Sequence, residues 1–212
     1  MEKVKILAIP VKQNNVISTA KEIETEFLRK AIHIFIALVP FIATYNKALA
    51  VILLGSGSVF YTLSEYIRIS GGSIAIISQI TMMASRDRDM GRFVLGPVTL
   101  ALGAMLALMM YPAPAASLAI YALAFGDSFA SVIGKIFGKS RIPFSGGKTY
   151  AGSIACFFVV FLIAFRMTSS LKSALLLGFF TTLFEALPTG DLDNIIIPTG
   201  TGFIASLVIA TL

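Results

Sequence analysis

Phe125-Gly126-Asp127-Ser128-Phe129-Ala130-Ser131-Val132-Ile133-Gly134-Lys135-Ile136-Phe137-Gly138-Lys139 continues an apolar run, Ala113–Phe125, of the kind that crosses a bilayer. On a helix of 3.6 residues per turn, Gly126, Ala130, Gly134 and Gly138 fall on one stripe, and Asp127, Ser131, Lys135 and Lys139 form the stripe beside it. The first stripe carries almost no side chain, so another backbone or a ligand can come close. The second offers one carboxylate and then two cations, which suits a metal ion with a polyphosphate. The same residues also read as a packing face that runs into a solvated basic loop, and the stretch alone does not decide between the two.

The rest of the chain supplies the setting. Of 212 residues, 57% are hydrophobic and 13% charged, and the mean hydropathy is +0.88. Soluble domains carry roughly 25% charged residues, so an all-α polytopic membrane protein is expected. The single cysteine, Cys156, lies in an apolar run and excludes a disulfide within the chain. Lys3 and Lys5 precede only a short apolar run broken by Pro10, so no cleavable signal peptide is expected.

Seven apolar spans are legible: about Ala31–Thr44, Ala48–Ile67, Phe93–Tyr111, Ala113–Phe125, Tyr150–Phe165, Leu171–Leu187 and Ile195–Leu212. Ser73–Met83 is apolar but too short to span, and reads as an interfacial or re-entrant helix. Residues 1–30 form a cytoplasmic N-terminal segment and 31–212 a membrane-embedded catalytic domain. Of the 17 Lys and Arg, only Lys47, Arg166 and Lys172 fall on one side of these spans. By the positive-inside rule the N-terminus is cytoplasmic and the C-terminus outside. This orientation explains the net charge of +6 without invoking nucleic acid. Beyond residue 30 the acids are Glu65, Asp87, Asp89, Asp127, Glu185, Asp191 and Asp193, and all fall at or near the cytoplasmic face. Ionisable groups near spans are costly and usually functional, so this face reads as a site for metal and phosphate; charges merely avoiding the short outer loops is the plain alternative.

Several clusters add to it. Glu26, Arg29, Lys30 and His33 share a helical face at the mouth of the first span; beside Glu26, His33, the lone histidine, suits a phosphate donor or proton shuttle, or simple interfacial packing. Glu65 and Arg68 end the second span as a potential ion pair. Arg86-Asp87-Arg88-Asp89-Met90-Gly91-Arg92 alternates charge and offers arginines to phosphate. Gly96-Pro97 breaks the start of the third span, where an unwound turn could line a cavity. Ser145-Gly146-Gly147-Lys148-Thr149 lacks the spacing of a Walker loop, yet its glycine amides, Lys148 and Thr149 at a helix N-terminus can bind an anion. Glu185-Ala186-Leu187-Pro188-Thr189-Gly190-Asp191-Leu192-Asp193-Asn194 supplies hard oxygen ligands, or a polar turn.

Taken together, Gly126-Asp127-x-x-Ala130-Ser131-x-x-Gly134-x-x-x-Gly138-Lys139, Gly147-Lys148-Thr149-x-x-Gly152-Ser153, and Glu185-Ala186-Leu187-Pro188 with Asp193-Asn194-x-x-x-Pro198 resemble the CTP-dependent lipid kinases. These include dolichol, phytol and polyprenol kinases and the yeast-type diacylglycerol kinase. Arg29-Lys30-x-x-His33 and Glu65-x-x-Arg68 match as well. The family's usual Asp-Asp-Asn is interrupted here by Leu192, although Asp193 keeps the place directly before Asn194. The resemblance implies CTP as phosphoryl donor, Mg²⁺ as cofactor and a lipid alcohol as acceptor, in a cell membrane with the active site facing the cytoplasm. It implies Mg²⁺ ligation by Asp127, Glu185 and Asp193. Ser131, Lys135, Lys139, Lys148, Thr149 and Arg88 would hold the triphosphate, and Glu65 or His33 would orient or deprotonate the alcohol.

The Gly-Asp and Gly-Lys-Thr parts are also similar to the phosphatidate cytidylyltransferases, which make a CDP-lipid from CTP. Those enzymes typically carry Gly-His-Gly-Gly and a terminal Asp-Arg-x-x-Asp. Here the one His is His33 and the terminal motif is Glu-Ala-Leu-Pro with Asp-x-Asp-Asn, which favours the kinase. A transporter or membrane scaffold is less well supported, because no internal repeat is found. The small-residue stripes permit helix pairing, including a homo-oligomer.

Overall fold

The computed structural model describes residues 11–85, 89 and 91–210, with side chains from residue 21 onward apart from that of Ala75. Helix α1 (Val11–Ile34) passes through a 3-10 turn, Phe35–Ala37, into α2 (Leu38–Tyr45). Asn46 ends this rod and caps α3 (Lys47–Ile69): its side-chain oxygen accepts from the Leu49 amide at 3.0 Å. The short α4 (Ala75–Ala84) follows, then α5 (Gly96–Met110), in which Pro97 sits at the start, where no amide is needed. Helix α6 (Ala115–Tyr121), a π-helical turn over Ala122–Asp127, and α7 (Ser128–Phe137) make one continuous rod. Helices α8 (Tyr150–Thr168) and α9 (Leu171–Glu185) are capped by the Thr149 and Ser170 hydroxyls, and α10 (Asp193–Ile209) closes the bundle. Among the described residues there is no strand, only an isolated antiparallel pairing of Arg141 with Thr149.

Five segments are long and apolar enough to cross a membrane: Lys21–Tyr45, Lys47–Ile69, Ala115–Phe137, Tyr150–Thr168 and Gly190–Ile209. Each of the seven apolar runs of the sequence is helical, and the fourth continues through the Gly/Lys segment as expected. Helices α5 and α9, however, have 15 residues each. At 1.5 Å per residue that is about 22 Å, short of the ~30 Å hydrocarbon layer. By length and composition alone five segments are candidate spans, although α9 runs back beside α8 to the end where α8 begins, since Glu185 meets Lys148 there.

Close backbone approaches hold the helices in place. The glycine stripe of the α6–α7 rod is spent inside the chain, against α8. A Cβ on Gly134 would stand 2.8 Å from Thr149 Oγ1, and one on Gly126 would stand 2.8 Å from Val160 Cγ2. On the other side, Pro198 within α10 has no amide to give the Asn194 carbonyl four residues back. Gly103 of α5 packs against that carbonyl and the Pro198 ring, where a Cβ would collide. Small side chains such as Ala104, Ala107 and Ala119 fill the centre, with Leu118, Leu123, Leu177 and Ile197. These contacts bring the start of α10, the π turn and the start of α8 to one end of the bundle, beside α1.

Replacing Gly103 with Ala should force α5 off α10 and destabilise the fold by about 1–3 kcal/mol. Gly57→Ala, where nothing lies within 4 Å, should be neutral or slightly stabilising. Thermal unfolding of the two variants in detergent, followed by circular dichroism, checks this. Equal melting temperatures would reject the close approach.

Candidate functional site

The α1 face that the sequence marked out turns inward. Glu26, Lys30 and His33 are all buried, and Lys30 Nζ donates to Asp127 Oδ2 at the end of the π turn. Asp127 is only 1% exposed. An ammonium and a carboxylate removed from water in this way must pair, because either alone would be costly. The π turn closes its hydrogen bonds over five residues instead of four, and Asp127 at its end meets Lys30 of α1.

His33 Nε2 stands 2.9 Å from Asn194 Oδ1 and 3.5 Å from Asp127 Oδ2. The protonation pattern follows from the partners. Asn194 Nδ2 donates to the Gly96 carbonyl at 3.2 Å and to Thr99 Oγ1 at 2.9 Å. A carbonyl only accepts, so the amide nitrogen must face Gly96 and Oδ1 must face His33. Oδ1 also only accepts, so Nε2 carries the hydrogen, and in the neutral ring Nδ1 keeps the lone pair. The second carboxylate oxygen, Asp127 Oδ1, is buried with no hydrogen-bond partner among the described residues.

Lys148 forms the other half of the cluster. Its Nζ lies 3.1 Å from Glu185 Oε1 and 3.3 Å from Asp193 Oδ2, and Ser153 Oγ donates to Glu185 Oε2 at 2.9 Å. The loop before α8 holds it there. Gly146 and Gly147 adopt φ of +69° and +102°, which a side chain would strain. The Ile142 amide donates to the Lys148 carbonyl at 2.8 Å. Burial alone would lower the Lys148 pKa; the carboxylates of Asp127, Glu185 and Asp193 outweigh it and raise the pKa above the ordinary lysine value.

Two cavities flank the cluster. A polar one of about 580 Å³ is floored by Ser131, Gly134, Gly138 and Gly152 and walled by Lys135, the Ser145–Thr149 loop, Glu185 and Asp193. A mostly apolar one of about 180 Å³ is lined by Tyr61, Ile77, Ile80, Pro97 and Leu100, together with His33, Thr81, Asp89, Asp191 and Asn194. Arg29 lines both. Its Nη2 lies 3.1 Å from Glu26 Oε1 and its Nη1 4.0 Å from Asp191 Oδ1, while Nε is buried with no hydrogen-bond partner among the described residues.

Of the residues singled out in the sequence, Asp127 and His33 meet at the centre. Ser131, Lys135, Lys148, Thr149, Glu185 and Asp193 line the polar cavity. Thr149 spends its hydroxyl oxygen on the Gly152 amide as the cap of α8. Lys139 is exposed and outside the cavity lining. Arg88 lies outside the described residues. Glu65 sits apart from the cluster: both oxygens take the Arg68 guanidinium at 2.7 Å, and Oε1 also accepts from the Val94 amide at 2.8 Å. Gly96 and Pro97 line the apolar cavity. Sequence reasoning did not assign Lys30 as the partner of Asp127, Asn194 as that of His33, or Arg29 as the wall between cavities. The helical face shared by Arg29, Lys30 and His33 was the available signal.

Among the described residues, no group of three or more His, Cys, Asp or Glu is placed to hold a metal ion. Mg²⁺ asks for less: it takes one or two carboxylates and completes its octahedron with water and phosphate oxygens. The Asp193 carboxylate on the wall of the polar cavity fits that demand, and Asp127 Oδ1, buried outside the cavity lining and unpartnered among the described residues, is a second oxygen of the same kind.

The chain is related to the phytol kinases of plants. It is 25% identical over 152 residues to a probable chloroplastic phytol kinase of Triticum aestivum, covering 63% of this chain and 49% of that protein. It is 24% identical over 151 residues to the chloroplastic phytol kinase 1 of Arabidopsis thaliana, covering 63% and 50%. With a probable phytol kinase 1 of Oryza sativa it shares 30% identity over 102 residues, covering 39% and 32%. The chain thus spans about half the length of the first of these relatives. No family model and no solved structure matches it.

The raised pKa of Lys148 has a measurable consequence. A cation stabilised by folding keeps its contribution below the ordinary lysine pKa and loses it only as pH rises through the higher folded value. At about pH 9, below the ordinary lysine value of ~10.4, Lys148 should react with an acetylating reagent at least about 10-fold more slowly than the exposed Lys139. Mass spectrometry of the digested protein reads both rates, and equal rates would contradict the carboxylate clamp.

Proposed function

We propose that this protein is a membrane-embedded kinase that transfers the γ-phosphoryl group of CTP to the hydroxyl of a lipid alcohol, at the cytoplasmic face. The observation that carries the reading is a buried carboxylate, Asp127, with one oxygen unpartnered among the described residues, 3.5 Å from His33, which lines the apolar cavity, and in the same charge cluster as Lys148, which lines a polar cavity bearing both cations and carboxylates. Phosphoryl transfer needs positioning and charge neutralisation more than covalent chemistry, and the cluster offers both. The relation to the phytol kinases supports a lipid-alcohol acceptor, and CTP follows from the motif resemblance. Counted over the seven apolar runs, Lys and Arg crowd one side, which supports the cytoplasmic orientation.

The polar cavity would take the triphosphate. Its floor of glycine, alanine and serine lets phosphates approach the backbone, and Lys148 and Lys135 stand at its walls. Lys148 would exchange part of its carboxylate contact for phosphate oxygens. Asp127 and Asp193 would hold Mg²⁺, which supplies neutralisation of the charge that develops on the β- and γ-phosphate oxygens. Lys30 fixes Asp127 Oδ2, leaving Oδ1 as the ligand atom. Arg29, reaching both cavities, would meet the phosphoryl group in transit.

With CTP labelled in the γ-phosphate, the extracted lipid should carry the label. With label in the α-phosphate it should carry none. Label arriving from the α-phosphate would instead mean transfer of the cytidylyl group. Asp127→Asn should lower turnover at least about 10³-fold. That change strips a buried lysine of its partner at a cost of about 3–5 kcal/mol, so the Lys30→Met, Asp127→Asn double variant serves as the folded control. Near-normal turnover in either would remove Asp127 from the site.

A further inference from the structure

We propose that the apolar cavity between α1, α3, α4 and α5 binds the hydroxyl-bearing end of a single-chain lipid alcohol and presents its oxygen to Nδ1 of His33. This rests on the kinase reading for the chemistry that follows, and on the cavity itself for the binding. The lining is mostly apolar, with Ile32, Ile77, Ile80, Pro97 and Leu100. Its polar members include Arg29, Thr81, Asp89, Asp191, Asn194 and His33, whose ring is held by Asn194. With Nε2–H committed to Asn194 Oδ1, the ring's remaining nitrogen is an acceptor, which is what a hydroxyl donor needs. Arg29 is shared with the polar cavity, so an oxygen held by His33 adjoins the place where a γ-phosphate would lie.

Size defines what is enclosed. About 180 Å³ exceeds the ~30 Å³ share of one water and falls below the ~300–1,000 Å³ of pockets that swallow a whole drug-sized ligand. The cavity therefore encloses the hydroxyl and the first few carbons. Ile80 both lines the cavity and is 44% exposed, so the wall meets the outer surface there and the tail leaves between α1 and α4 into lipid. Chain length is then read weakly. A two-chain glycerolipid is read more strongly, because a volume of about 180 Å³ encloses the first carbons of one chain and not a second chain with its ester groups.

The same geometry gives Glu65 and Arg68 a place. Tyr61 Oη donates to the Val94 carbonyl at 3.2 Å, Glu65 accepts from the Val94 amide, and Arg68 donates to the Arg92 carbonyl at 2.9 Å. Together they pin the segment that forms the rim of the cavity, so they are positioning residues. In the transfer itself, the alcohol oxygen bonds to the γ-phosphorus as its proton passes to His33 Nδ1. The bond from that phosphorus to the β,γ-bridging oxygen breaks, and the nucleoside diphosphate leaves. His33 then returns the proton to solvent.

The chain contains no tryptophan, so Ile80→Trp, or Ile77→Trp should the first variant fold poorly, places a sole indole in the cavity wall. The probe is an unbranched long-chain alcohol brominated a few carbons from its hydroxyl, in detergent micelles. Saturable quenching is expected, displaced by geranylgeraniol but at least about 10-fold less effectively by dioctanoylglycerol or octadecane. Quenching that rises linearly with probe, or equal displacement by all three competitors, overturns the proposal. On native turnover, His33→Ala should lower kcat about 10²–10⁴-fold, with KM for CTP little changed. An unchanged kcat removes His33 as the base. If the native protein phosphorylates no alcohol, the kinase reading fails, while the quenching experiment still decides the cavity.

Discussion

The pairing of Lys30 with Asp127 is the constraint around which the rest is arranged. Neither charge can stay buried alone, and a bundle of apolar helices offers few other partners. To bring them together, α1 must lie against the α6–α7 rod, and the rod must open into a π turn where Asp127 emerges. Once α1 is placed, His33 comes within reach of Asn194, which draws in the start of α10, and Asn194 in turn ties down the start of α5 through Gly96 and Thr99. One ion pair thereby fixes the relative positions of four segments far apart in sequence.

Much of the site could be read beforehand, because its residues cluster locally. The Asp127–Lys135 stripe, the Gly146–Thr149 loop and the Glu185–Asp193 acids each have a spacing that suggests chemistry, and Ser131, Lys135, the loop, Glu185 and Asp193 border one cavity. What the sequence concealed was pairing across long separations. Lys30 looked like one cation in a mixed face, and Asn194 looked like a companion of acids. Nothing local says that the first meets Asp127 or that the second orients a histidine 161 residues away. The π turn was hidden for another reason. Its residues, Ala122–Asp127, have no distinctive composition, and the widening comes from the packing demand on Asp127 rather than from propensity.

The span count shows a similar limit. Hydropathy finds apolar runs, and each run is a helix, but α5 and α9 are shortened by the residues that end them. Pro97 and the loop before it set the start of α5, and Glu185 turns inward to Lys148 at the end of α9. The two short helices stand next to the polar centre because their ends serve it. Glu65 illustrates the reverse. As a scattered acid near a span it looked chemical, whereas its two oxygens are filled by Arg68 and the Val94 amide.

Among the described residues, Arg29 is the one side chain that borders both cavities. For a kinase built this way, donor and acceptor occupy separate chambers, and neither has to vacate its place for the other to arrive. Such an arrangement has no use for a phosphorylated enzyme that stores the group between two half-reactions. If the protein is such a kinase, its steady-state kinetics would be those of a ternary complex, with intersecting rather than parallel double-reciprocal lines, and isotope exchange between the nucleoside di- and triphosphate would wait for the alcohol.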